Sequence, residues 1–88
     1  MTARIEKTSS GQRMTIRLIG RIQSQHLDEL KVQMGGPDSQ ASLDLAEVIL
    51  VDVDVVHFLG ACEANGITIL NCPAYIREWI HRERAAQK

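Results

Sequence analysis

A change of apolar period at mid-chain constrains this sequence more than any other feature. Leu43-Asp44-Leu45 is a short apolar run broken by one carboxylate, the pattern of a strand buried on both faces. It passes through Ala46 and Glu47 into a second apolar run, Val48-Ile49-Leu50-Val51, and then meets Asp52. Beyond Asp52 the spacing changes: Val55, Val56, Leu59 and Cys62 fall on one face of a helix. Asp52 stands where an N-cap stands, its carboxylate able to accept from free N–H groups of the first turn. The reading is a strand, a loop through Val48-Ile49-Leu50-Val51, and a capped helix. In α/β units, sites gather outside the carboxyl ends of strands. That junction is the expected working surface.

The chain of 88 residues has room for one domain, spanning residues 1–88. A domain this small buries roughly 60–65% of its unfolded surface. Phe, Tyr and Trp occur once each, so the core must be built from aliphatic side chains. Ten basic residues against eleven acidic ones give a net charge of −1. Nothing in that balance favours phosphate backbones or anionic lipid, and three aromatics make no base-stacking platform. Nucleic acid and direct membrane insertion are not expected. Cys62 and Cys72 have no metal-like or redox-like spacing, and no apolar run is long enough to span a bilayer. With no leader pattern at the start, the expectation is a cytoplasmic protein with both thiols reduced.

Arg4-Ile5-Glu6-Lys7 reads as a first strand and Thr8-Ser9-Ser10-Gly11 as a turn. Met14, Ile16 and Leu18 then alternate with Arg13, Thr15 and Arg17, a strand with one wet face. The two make a hairpin ended by Gly20. Ser24 is the expected N-cap of a helix carrying Leu27, Leu30 and Met34, stopped by Gly35-Gly36-Pro37. After the central helix, Asn65-Gly66 is a stop, and Ile67-Thr68-Ile69-Leu70 is a β-branched strand. Pro73 opens a last helix that buries Ile76, Trp79 and Ile80 and pairs Glu78 with Arg82. The order is ββαβαβα: an α/β fold with a mixed sheet packed against helices.

The candidates for chemistry do not assemble. Asp52 and Asp54, two apart in a helix, point apart, and capping and the helix dipole account for both. His57 and Cys62 fall on different helical faces, so no Cys/His pair forms between them. Cys62 reads as a core residue, and His26 and His81 as surface residues. No cofactor, metal or catalytic set is expected. Asp44 is different: a carboxylate in an apolar strand is costly unless bonded. It either turns toward the surface at the strand's end or accepts backbone N–H groups from a neighbouring loop, which would pin Val48-Ile49-Leu50-Val51.

At Leu43-Asp44-Leu45, Val48 and Val51-Asp52, then a helix and Gly66 before a strand, the chain resembles the STAS domain family. These are the anti-sigma factor antagonists, also found on sulfate transporters. Leu18-Ile19-Gly20-Arg21-Ile22 resembles that family's second strand, and Ile67-Thr68-Ile69-Leu70 its fourth. The resemblance covers most of the chain and implies a bacterial, non-catalytic module of signalling and transcription regulation. Its partner would be an anti-sigma or kinase-like regulator, contacted through Gln23, Ser24, Asp52, Val53, Asp54, Val56 and His57. Regulatory members carry a Ser or Thr after that aspartate; Val53 has no hydroxyl, so no phosphorylation switch is expected there. Members also continue into a further strand and helix beyond the point where Lys88 stands. The strand at Ile67-Thr68-Ile69-Leu70 would then be an open edge, to be covered by its own tail, by a partner, or by a second copy in a homodimer. Two alternatives stand beside this reading: an accessory subunit of a membrane transporter, and a small hydrolase using Asp52 or His57. The hydrolase requires an apolar pocket with convergent polar groups beside Asp52.

Overall fold

The computed structural model describes residues 3–11, 13–34 and 41–86. A hairpin of β1 (Arg4–Ser10) and β2 (Arg13–Ile22) pairs antiparallel, with Arg4 opposite Ile19 and Ser10 opposite Arg13. A 3₁₀ turn at Ser24–His26 leads into α1 (Leu27–Met34), and β3 (Ala41–Val51) runs parallel to β2. Then come α2 (Val53–Ala64), β4 (Thr68–Leu70) parallel to β3, and α3 (Ala74–Ala86). The sheet order is β1-β2-β3-β4. The mixed α/β class and the order ββαβαβα are those expected from the sequence.

The two faces of the sheet divide by chemistry. Ile16, Leu43 and Ile69 stand in register across β2, β3 and β4. Ile16, Leu18, Leu43 and Leu45 join Leu30, Val55, Leu59, Ile76 and Ile80 of the three helices in one core. Alternation then turns the neighbouring row to the other face. Thr8, Thr15, Ser42 and Thr68 form that row, one hydroxyl per strand. Next to it lie Glu6, Arg17 and Asp44. Helices thus cover the apolar face, and the polar face stays partly exposed.

β3 is longer than its sequence suggests. Arg17 pairs with Asp44 but Ile19 with Glu47, and Gly20 pairs with Val48 but Arg21 with Leu50. Each slip inserts one extra residue into β3, as a β-bulge does. Past Leu45 the buried positions therefore recur every third residue, at Leu45, Val48 and Val51. That spacing breaks the period-two signal of a strand. Val48-Ile49-Leu50-Val51, expected as a loop, is strand instead. Gly20 does not end β2; its φ of 86° lies at the second slip, a conformation other residues rarely adopt. Thr8 and Ser9, expected in the turn, belong to β1, and Gly11 carries the turn.

Helix ends follow local chemistry. Asn65 caps α2, and Gly66 at φ 87° lets the chain reverse toward β4. The carbonyl of Pro73 accepts from Ile76 and Arg77 and so starts α3 at Ala74. Ile76 and Ile80 are buried as expected, Trp79 is half-buried, and Arg82 bonds Glu78 at 2.6 Å. The stop expected at Gly35-Gly36-Pro37 and the position of Lys88 lie outside the described residues.

Candidate functional site

β3 ends at Val51 and α2 begins at Val53, leaving Asp52 alone between them in an extended conformation (φ −101°, ψ 177°). Its Oδ1 accepts from the Val55 N–H at 3.0 Å, and its carbonyl accepts from Val56 at 3.1 Å. Its Oδ2 accepts from the Ser24 N–H at 2.8 Å. One carboxylate therefore caps α2 and holds the exit of β2, 28 residues earlier, against the start of that helix. The expected N-cap role is present, and the second bond was not foreseen.

Ser24 is not a helix cap. Gln23 takes that place at the head of the 3₁₀ turn, and its N–H donates to His26 Nδ1 at 3.0 Å. That bond requires Nδ1 to be unprotonated, so His26 fixes the turn and is more than a surface polar group. Ser24 contributes its backbone to Asp52 and stays exposed.

Large apolar side chains stand exposed on the rim around Asp52. Val53, Leu50 and Ile49 are 43%, 48% and 56% exposed, and Tyr75 in the first turn of α3 is 46% exposed. β4 pairs only with Ser42, Leu43 and Asp44, so the later part of β3 has no strand on that side among the described residues. The Tyr75 hydroxyl donates to the Ile49 carbonyl at 2.8 Å and occupies one group of that open edge. Ile49, Leu50 and Tyr75 were missed from sequence. The doubled apolar pair between Val48 and Val51 was the available signal, because no single strand face buries four consecutive side chains.

Of the seven residues expected at a contact surface, Gln23, Ser24, Asp52, Val53 and Asp54 gather at this rim. Val56 does not: at 1% exposure it faces the core and is withdrawn from the surface. His57 lies on the flank toward α3, where its Nε2 meets Glu83 Oε1 at 2.5 Å. Nearby, Glu63 accepts from Arg77 at 2.6 Å and faces Arg84 at 3.6 Å, so charges line the seam between α2 and α3. The Glu63 bond raises the Arg77 pKa.

Asp44 is 7% exposed, and no fully buried side-chain polar atom among the described residues lacks a partner. Oδ1 accepts from the Ala46 N–H at 2.9 Å and from Asn71 Nδ2 at 3.2 Å, while Oδ2 faces Arg17 Nε at 3.6 Å. Chiefly the Ala46 bond, helped by Asn71 and Arg17, holds its pKa below the ordinary value against the opposing effect of burial. The expected loop contact is replaced by a bond within the first bulge of β3. The carboxylate instead pins Asn71, which sits at φ 54° in the link from β4 to α3.

No reactive constellation surrounds Asp52. Both its oxygens are engaged by backbone, and it lines none of four surface depressions found among the described residues. His57 lines a groove of about 150 Å³ between α2 and α3 with Gly60, Glu83 and Arg84. A wider groove of about 420 Å³ runs between α1 and α2, past Met34, Phe58 and Cys62, with Lys31 Nζ 5.8 Å from the Phe58 ring. Burial pushes the Cys62 thiol up to about 11 and raises that of half-buried Cys72, so both are poor nucleophiles at neutral pH. No three His, Cys, Asp or Glu side chains cluster as metal ligands among the described residues, and no helix there is long and apolar enough to cross a membrane.

No family model matches the sequence, and no curated protein matches it. Among solved structures, the chain is similar to an uncharacterized protein of the DUF3478 family with a SpoIIAA-like fold, from Shewanella loihica PV-4. The identity is 16% and the TM-score 0.49, covering 98% of this chain and 79% of that one.

Proposed function

We propose that this protein is a non-catalytic interaction module of the anti-sigma factor antagonist type. It docks a regulatory kinase-like or signalling partner on the rim formed by Gln23, Ser24, Asp52, Val53 and Asp54, extended by Ile49, Leu50 and Tyr75. The observation that carries this reading is the double engagement of Asp52. Its carboxylate is spent on Val55 and Ser24, which stiffens the rim, and the exposed side chains around it combine the apolar Ile49, Leu50, Val53 and Tyr75 with the polar Gln23, Ser24 and Asp54. A rigid apolar surface with a polar border suits a protein contact, whereas hydrolysis needs a free base and an enclosed substrate. Val53 occupies the first position of α2 and offers no hydroxyl, so the contact is constitutive or is controlled through the partner.

The test compares what a tagged wild-type chain and two variants retain from the native host. Leu50→Asp and Val53→Asp place a charge on the rim, and an acidic residue at the start of α2 agrees with the helix dipole, so folding survives. A protein retained by the wild type and lost by both folded variants supports the reading. Equal retention by all three overturns the surface.

A further inference from the structure

We propose that two copies of this chain associate through β1, pairing antiparallel about a two-fold axis that passes between their Ile5 residues. β1 is an outer strand of the sheet, and among the described residues only β2 pairs with it. At seven residues it is the longer of the two outer strands; β4, where an open edge was expected, has three. An unpaired edge is a template for another strand, and on β1 it is the charges, not the length, that select the partner.

The charges on β1 say which strand fits. A symmetric antiparallel pair turns about an axis normal to the sheet, so one residue must stand opposite its own copy. Centring on Glu6 sets two carboxylates face to face, and centring on Lys7 sets two ammonium groups face to face; both are unfavourable. Centring on Ile5 sets Ile5 against the partner's Ile5 and each Arg4 opposite the partner's Glu6. Arg4-Ile5-Glu6 is thus complementary to itself when run backwards. Within one chain Arg4 Nη2 already lies 3.1 Å from Glu6 Oε2, so both side chains sit on the same face. In the pair each guanidinium stands between two carboxylates, which selects the register more than it adds affinity. Half-buried Ile5 supplies the apolar contact on the other face, where it packs against the core.

The full chain, followed by sedimentation from micromolar to millimolar concentration, tests this. The wild type forms a reversible dimer. Arg4→Glu puts carboxylates opposite each other at both ends of the pair and weakens association roughly tenfold. The double variant with Arg4→Glu and Glu6→Arg restores it, because the exchange preserves complementarity. All these residues are exposed or half-buried on an edge, and far-ultraviolet circular dichroism checks that the fold is kept. Under mild oxidation Ile5→Cys forms a disulfide-linked dimer through that position and Lys7→Cys does not, since only the former meets its copy at bonding distance. A monomer at every concentration overturns the proposal. So does a dimer indifferent to the charge reversal, or one cross-linked through Lys7→Cys alone.

Discussion

Asp44 and Asp52 lie on and just past the same strand, and each joins a local backbone N–H to a group 27 or 28 residues away. Asp44 does so within the sheet at 7% exposure, bonded to a bulge and to Asn71 and paired in charge with Arg17. Asp52 does so at the rim, bonded only to backbone at the heads of two elements. The same chemistry therefore has two consequences. An interior carboxylate that satisfies its own strand is a device of stability, since removing it leaves the part-buried Ala46 N–H and Asn71 amide without their acceptor. A rim carboxylate that ties two chain segments fixes the shape of a surface, and solvent can replace much of what it gives.

The largest separation of the two comes from truncation at Asp44. Asp44→Ala releases the Ala46 N–H, Asn71 and Arg17 together, at a cost of about 2 kcal/mol. For a chain of this size that lowers the melting temperature by roughly 8–16 °C. Partner retention at a temperature where the variant is folded stays at the wild-type level. A loss of binding with unchanged stability would reverse the assignment.

Acid sharpens the same point. The pKa of Asp44 in the folded protein is below its ordinary value of 3.8, so the unfolded chain binds the proton more readily. The stabilisation is full above pH 3.8 and is lost as pH falls through the lower folded value. Chemical denaturation of wild type and Asp44→Asn gives a difference that is constant at neutral pH and shrinks below that point. A difference that grows on acidification would show the carboxylate to be destabilised by the fold.

At Asp52 the expected balance is the opposite. Asp52→Ala removes an N-cap, about 1 kcal/mol, and Asp52→Asn, which still accepts, recovers most of it. Because Ser24 also loses its tether, the rim loosens, and affinity for a retained partner falls about tenfold, equivalent to 1.4 kcal/mol. Stability is read by thermal melting and affinity by titration with the isolated partner. A smaller effect on affinity than on stability would make Asp52 a second Asp44.

The two aspartates also differ in how far the sequence disclosed them. The cap at Asp52 was legible because the apolar period changes there, a signal confined to neighbouring residues. The need of Asp44 for partners was legible too, but not their identity. Its contacts with Asn71 and Arg17 exist only once β2, β3 and β4 are in register, and no local pattern encodes a register. The bulges hid the strand itself: two inserted residues turned an alternation into a spacing of three, so Val48-Ile49-Leu50-Val51 read as loop. The exposed Ile49 and Leu50 were missed for the same reason, and Tyr75 because its bond to the Ile49 carbonyl spans 26 residues. The element order survived because the hairpin turn and the Asn65-Gly66 stop act locally.

The smallest effect on stability is expected at Val53, and it sharpens the comparison most. Position 53 is the first of α2 and 43% exposed, so serine there leaves the melting temperature within about 1–2 °C. Val53→Ser places a hydroxyl beside the carboxylate that fixes the rim. If the docked partner is kinase-like, incubation with that partner and ATP phosphorylates the variant and not the wild type, as mass spectrometry would read. The new phosphate then lies at the head of α2, where the dipole welcomes it, but next to Asp52 and Asp54, whose charges oppose it. Repulsion at the rim weakens docking while the interior, held by Asp44, is untouched. A phosphorylated variant that binds as tightly as the unmodified one would mean that the partner's contact lies elsewhere, and that Asp52 stiffens a surface nothing reads.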